Sequence, residues 1–393
     1  MHSIGVLTSL IACTHTGASD TAPASWSLPP FDELPSMPEP PDPFELLSTG
    51  EQIRDTTDWT ERRAPELRAL FAHYVYGEAP APPEVSVTER AARAFGDARL
   101  VELDVDIGPV RAAVLLFVPA GAPAPVLLGL NKCGNHTVSA DPDVPVPTSW
   151  RDPDCGDDAT EAGRGAHAAA WPIDAALDAG WAVATVAQSD LDPDDPEDAA
   201  RAGRLRDTFA PDVPAAHAWG TVAAWAWGLS RVIDALETRS ELDLDRIHTF
   251  GHSRRGKTAL WAAANDDRVA GVWAHQSGIV GAALNRGSTG ETVAAINALF
   301  PHWFAPQFHA FAHAEDRLPV DQHLLLALVA PRRVVLTDGD EDAWANPSGA
   351  EEAADLARPV FTMFGAAPDA LQWSLRPGGH EMRADDWAAI DAL

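Results

Sequence analysis

The chain has 393 residues, 46% of them hydrophobic and 14 of them tryptophan, with a formal charge of −30. That supply of apolar side chains suits a large core and excludes a disordered chain. The charge excludes nucleic acid and anionic membrane surfaces as electrostatic partners, since both would be repelled.

At the N-terminus an apolar run, Ile4 to Ala12, ends at Cys13, and Leu10-Ile11-Ala12-Cys13 has the form of a bacterial lipoprotein processing site. The run is too short to span a bilayer. Residues 1–13 are therefore expected to be an export signal, with Cys13 as a lipid anchor and a periplasmic, cell-surface or secreted destination. No lysine or arginine precedes the run, which is atypical of such signals. Residues 14–43, rich in Pro, Ser, Ala, Asp and Glu, read as a flexible tether, and the folded domain is expected to fill residues 44–393.

Amphipathic spacing from Trp59 to Tyr76 predicts a helix that stops at Gly77 and Pro80. Period-two stretches at 85–88, 100–107 and 110–118 predict antiparallel strands, and the unbroken apolar run 125–130 predicts a buried one. That run ends in a polar loop, residues 131–137. Cys133 and Cys155 have neither metal-site nor catalytic spacing. In an exported protein they can form a disulfide; the other reading is two buried free thiols.

A helix over 172–179 and a strand over 181–186 lead to the acidic loop 188–195. Its carboxylates suggest calcium. Pro193 breaks the ligand spacing, so no metal is expected. A long helix over 219–237 precedes a strand over 243–250, and later strands are expected at 269–275, 334–336 and 371–375. Strands alternating with helices after an antiparallel start predict an α/β fold, with a mostly parallel sheet covered by helices on both faces.

The centre of the chain is Gly251-His252-Ser253-Arg254-Arg255-Gly256-Lys257, between the strand and an alanine-rich helix. A serine on such a turn projects above the sheet edge as the nucleophile of an α/β-hydrolase does. The second glycine comes one residue late, because Arg255 holds its usual place. A helix-capping serine on a tight turn is the competing reading. Two later strand ends supply partners in the order this fold uses. Asp340, Glu341 and Asp342 follow the strand at 334–336, and Asp342 is favoured as the acid. His380, between glycines after the last strand, is the favoured base.

These motifs, with Tyr74-Val75-Tyr76-Gly77, Trp225-Ala226-Trp227-Gly228, Gly290-Glu291-Thr292, Pro301-His302-Trp303-Phe304 and Asp342-Ala343-Trp344-Ala345-Asn346-Pro347, resemble the glucuronoyl esterases of carbohydrate esterase family 15, particularly bacterial members. The resemblance runs from about residue 59 to the end. It implies an α/β-hydrolase fold, a three-layer sandwich, and a serine esterase that cleaves esters between (4-O-methyl)glucuronic acid of xylan and lignin alcohols. It also implies an oxyanion role for Arg254 and sugar contacts from Lys257, Glu291 and Trp344, with no cofactor. Trp303 is assigned to the core.

One position departs from the family. Many relatives carry a glutamate before the Ser-Gly that follows the elbow helix, and some use it as the triad acid; here Gln276 stands there. Glutamine cannot neutralise an imidazolium, so the acid role falls on Asp342. Two other functions stay open: a xylan-associated acetyl or aryl esterase, and a tethered carbohydrate-binding protein with a vestigial site. A monomer acting on glucuronoxylan or lignin–carbohydrate esters is expected.

Overall fold

The computed structural model describes residues 28–121, 123–148, 152–197 and 202–393. The expected export signal, Cys13 and residues 14–27 of the expected tether lie outside the described residues.

Among the described residues a nine-stranded sheet organises the fold, in the order β1-β2-β3-β5-β4-β6-β7-β8-β9. β1 (Val85–Phe95), β2 (Ala98–Ile107) and β3 (Val110–Val118) form an antiparallel meander, and β3 pairs antiparallel with β5 (Ala182–Ala187). From β5 onward the pairing is parallel, through β4 (Ala124–Asn131), β6 (Leu242–His252), β7 (Val269–His275), β8 (Arg333–Gly339) and β9 (Leu371–Arg376). Every residue of β4 and β5 is buried, as a parallel sheet covered on both faces requires.

Among the described residues the helices on one face include α1 (Ala64–Phe71), α2 (Thr221–Leu236), α3 (Arg254–Asn265) and α4 (Pro347–Met363). Their core includes Phe71, Trp225, Trp261 and Phe361. The opposite face is closed by Ile173–Asp178 and by the C-terminal turns, around Phe250, Trp273 and Trp387. The result is the three-layer α/β-hydrolase architecture expected, with the carboxyl ends of β6, β8 and β9 at one rim.

Two expectations change in extent. The helix expected over 59–76 has α1 at its centre, flanked by wider turns at Trp59–Arg63 and Ala72–Tyr76. The strand expected to end at 88 continues to Phe95. Its second half carries polar side chains because it lies on the sheet edge, where Arg93 pairs with Glu102 on β2 at 2.6 Å and with Asp141.

The expected tether is a strap where it is described. Leu34 is buried, Met37 N–H donates to Asp316 O, His323 Nε2 meets Pro41 O, and the Arg63 guanidinium donates to the carbonyls of Asp42 and Pro43. The folded part therefore begins by residue 28 rather than 44. A proline-rich stretch shows little hydrophobic patterning, yet its carbonyls remain available to donors from the domain.

Cys133 and Cys155 are bonded, with Cα atoms 5.7 Å apart, which replaces the free-thiol reading. The bond closes a loop with a sequence separation of 22 beside the carboxyl end of β4.

Candidate active site

Ser253 lies between β6 and α3 with φ 59° and ψ −127°, a backbone state that a non-glycine residue adopts only when its surroundings compel it. The compulsion is packing. A Cβ on Gly251 would lie 2.3 Å from the Arg255 carbonyl group, and one on Gly256 would lie 2.9 Å from Gly251 O and from Ser277 Cβ. The late glycine is thus where α3 crosses β6 and β7 closely, and Arg255 can occupy the usual glycine position because its side chain turns away to Gln188 Oε1.

The serine hydroxyl meets His380 Nε2 at 2.9 Å. His380 Nδ1 meets Asp342 Oδ2 at 2.6 Å. The structure therefore brings together the nucleophile, base and acid expected from three separate strand ends. His380 is 39% exposed at its side chain and Asp342 2%, so the pair has an open face toward substrate and a dry face behind. Asp342 also accepts from Ala345 N–H, which fixes the carboxylate. Asp340 instead accepts from Gly378 N–H and braces the histidine loop.

Gln276 does not replace the acid. Its Oε1 faces His252 Nε2 at 3.1 Å and its amide nitrogen donates to Gly379 O at 2.5 Å, so it ties a neighbouring histidine to the loop that carries His380. Burial holds the His252 imidazole well below its usual range, and the nearby His380 charge adds to this. Glutamine suits the place because it both accepts and donates.

Arg254 follows the nucleophile. As the first residue of α3 its N–H has no intrahelical partner, the kind of backbone donor that an oxyanion site uses. Its guanidinium meets Asp194 Oδ2 at 2.5 Å and lies 4.4 Å from the centre of the Trp303 ring and 4.9 Å from that of Phe300. Asp194 is held in turn by His302 Nε2 at 2.8 Å and Trp303 Nε1 at 2.7 Å. Burial pushes this carboxyl up, but the His302 hydrogen bond and the Arg254 charge outweigh it and hold the group well below the usual carboxylate range.

Trp303 is thus both core and site, and Asp194, His302 and Gln188 are parts that sequence reasoning missed. The available signals were the position of Gln188 just after a buried strand and the His302-Trp303 pair, which lies far from Arg254 in the sequence. Asp190 and Asp192 of the same loop are engaged elsewhere, Asp190 by Ala113 N–H and Asp192 by Arg206 at 2.5 Å.

Lys257 is more enclosed than the sequence suggests. Its ammonium donates to Ser277 O at 2.7 Å and Ile279 O at 2.6 Å, and faces Glu291 Oε2 at 3.6 Å. Burial lowers its pKa, with the Glu291 charge opposing. Glu291 is buried too, and its N–H donates to Trp344 O at 2.9 Å. Trp344 itself is 49% exposed. A lysine on α3, a glutamate and an open indole are thus linked in one chain of contacts.

Comparison with known proteins gives concordant matches. The family model for fungal glucuronyl esterases matches residues 166–365. A protein of an unknown prokaryotic organism, carbohydrate esterase MZ0003, is 38% identical over 377 residues, spanning 88% of this chain and 87% of its own. The 4-O-methyl-glucuronoyl methylesterase of Thermothelomyces thermophilus is 28% identical over 353 residues, spanning 86% and 75%. A solved structure described as a promiscuous CE15 esterase from a marine bacterial metagenome matches with a TM-score of 0.83 at 36% identity, over 92% of this chain and 97% of that one.

Proposed function

This chain belongs to the glucuronoyl esterases of carbohydrate esterase family 15, and from that premise we propose that Ser253, His380 and Asp342 cut the ester between (4-O-methyl)glucuronic acid and a lignin alcohol. The observation that carries this reading is the continuous hydrogen-bonded line from Asp342 through His380 to Ser253.

Ser253 Oγ attacks the ester carbonyl as His380 Nε2 takes its proton, and Asp342 stabilises the imidazolium. The negative oxygen falls to the Arg254 N–H and guanidinium; one such donor is typically worth about a hundred- to a thousandfold in rate. His380 returns the proton to the leaving alcohol, leaving a glucuronoyl ester on Ser253 that water then cleaves by the same route. Glu291 and Lys257 are assigned to the sugar hydroxyls and Trp344 to an apolar sugar face.

A second reading, acetyl or aryl ester hydrolysis, is favoured by one observation: all three Lys257 donors already face carbonyls or Glu291. An acyl group needing no such contact would suit that arrangement. Hydrolysis of benzyl glucuronate alongside 4-nitrophenyl acetate separates the two. Strong preference for the glucuronate, lost selectively in Lys257→Ala, supports the first reading; cleavage of acetate alone supports the second.

The location proposed is outside the cytoplasm, with Cys13 lipidated. The Cys133–Cys155 bond supports this, since such bonds persist in oxidising compartments. Fractionation of expressing cells, comparing the native chain with Cys13→Ala, tests it: the native chain is expected in the membrane fraction and the variant is not.

A further inference from the structure

The loop that carries the base is gripped from the sheet, and we propose that His275 and Gln276 are positioning residues for His380. These consecutive side chains at the end of β7 hold the peptide carbonyls on either side of the base and so set where its imidazole stands. The proposal deepens the triad reading and rests on it.

His380 has to reach two groups at once, Ser253 Oγ at 2.9 Å and Asp342 Oδ2 at 2.6 Å. Its side chain is 39% exposed, so packing does little to hold it there. Two glycines, Gly378 and Gly379, precede it in the chain. Glycine leaves a backbone more freedom than any other residue, so a base on such a loop needs its peptide groups tied down. Asp340 and the Glu341 N–H hold Gly378.

The two immediate neighbours of His380 are held from β7. Gln276 Nε2 donates to Gly379 O at 2.5 Å, and His275 Nε2 donates to Glu381 O at 2.9 Å. Side chains of successive strand residues ordinarily point to opposite faces. Here Gln276 has φ 48°, a left-handed state that breaks the alternation, and its N–H is fixed on Thr337 O at 2.8 Å. The turn of the backbone lets residues adjacent in sequence close on one loop. His275 also reaches the nucleophile, because its own carbonyl accepts from Ser253 N–H at 2.9 Å. One residue therefore sets the distance between the strand end that carries the serine and the loop that carries the base.

Both side chains are oriented in their turn. Trp273 Nε1 donates to Thr337 Oγ1 at 2.8 Å, so the threonine hydrogen goes to His275 Nδ1, 2.7 Å away. That leaves the hydrogen of a neutral imidazole on Nε2, facing Glu381 O, and burial favours the neutral form by pushing the His275 pKa down. Gln276 Oε1 accepts from His252 Nε2 at 3.1 Å, which turns the amide nitrogen toward Gly379. Arg376, at the end of β9, donates to Glu381 O at 2.5 Å and to Gly379 O at 3.4 Å. It closes the loop on the strand that leads into it, whereas His275 and Gln276 tie the loop to the strand beside the nucleophile.

The test uses the full chain with benzyl glucuronate and 4-nitrophenyl acetate, since a well-placed base serves either ester. Gln276→Met keeps the length of the side chain and removes its amide. It is expected to lower kcat by about ten- to a hundredfold on whichever ester is cleaved, with KM changed by less than about twofold, the scale of a slightly misplaced catalytic group. His275→Leu is expected to lose as much, while His275→Gln, whose amide can still donate to Glu381 O, recovers roughly a third or more of the native kcat. In a His380→Ala background Gln276→Met is expected to cost nothing further, because no base is left to position. A Gln276→Met chain with native kcat, or one whose loss adds in full to that of His380→Ala, overturns the proposal.

Thermal unfolding shows whether each variant is folded. If Gln276→Met is not, the pair at residue 275 decides: a clear advantage of His275→Gln over His275→Leu supports the proposal, and equal kcat in the two overturns it. Ser253→Ala judges the triad separately. Activity retained in that variant removes the triad, whereas native kcat in Gln276→Met removes only the positioning role.

Discussion

The Arg254 guanidinium is held at 2.5 Å by the buried carboxylate of Asp194, sixty residues earlier in the chain, and stacked over Trp303. An arginine that stabilises an oxyanion helps only if it already stands where the charge will form. Asp194 supplies that hold. Asp194→Ala leaves Arg254 unanchored and strips Trp303 Nε1 and His302 of their shared acceptor. The expected result is a loss of kcat of about ten- to a hundredfold with KM little changed, and a stability loss on the order of 3 kcal/mol. Steady-state kinetics and thermal unfolding check both; an unchanged kcat would remove Asp194 from the account.

In the proposed triad the acid role falls to Asp342 alone, because the Gln276 amide is committed to His252 and Gly379. Asp342→Asn is expected to lower kcat by on the order of 10⁴, since it favours the wrong imidazole tautomer while keeping the shape. Gln276→Glu is not expected to restore activity in that background. Its carboxylate would face Gly379 O, an acceptor, and would lie against His252 rather than His380. Recovery of activity in the double variant would contradict this assignment.

The Cys133–Cys155 bond fastens the loop after β4. Replacing both cysteines with serine is expected to lower stability by about 2–4 kcal/mol, mainly by freeing the unfolded chain. Differential scanning calorimetry of the variant against the oxidised native chain measures the loss, and equal melting temperatures would show that the loop is held by its other contacts.

Burial pushes the Asp338 carboxyl up to about 7, against a Trp373 hydrogen bond that lowers it and with the Asp342 charge adding to the rise. The group binds its proton more tightly folded than unfolded, where its value is 3.8. Its contribution to stability is therefore complete below about pH 4 and is lost as pH rises toward and through 7. Asp338→Asn is neutral throughout and keeps an acceptor for Trp373 Nε1. The native chain is expected to lose stability from pH 5 to 8 by roughly 2 kcal/mol more than this variant. Parallel melting curves across that range would contradict the shift.

The hydrogen-bonded grouping of Ser253, His380 and Asp342 was legible in the sequence because each member sits just beyond an apolar run read as a strand, and the chain order Ser253, Asp342, His380 is the one this fold uses. The same reasoning could not reach Asp194, whose partners His302 and Trp303 lie more than a hundred residues away and whose loop looked merely acidic. Lys257 was placed near the serine by helix geometry, yet the two carbonyls that enclose it come from the turns after β7, beyond any helical periodicity. Residues 28–43 looked like a tether because composition reports what a segment lacks. It does not report that Arg63 and His323 stand ready to bind its carbonyls. β1 was cut short for a related reason, since its edge residues are held by cross-strand ion pairs rather than by an apolar face.

The most direct test is kcat/KM for benzyl glucuronate with Ser253→Ala against the native chain, at matched melting temperature. A fall on the order of 10⁴- to 10⁶-fold is expected, because without the serine hydroxyl no acyl-enzyme can form and only binding and the oxyanion donors remain. Activity retained within tenfold would mean that another group attacks the ester, and the Ser253–His380–Asp342 assignment would fall.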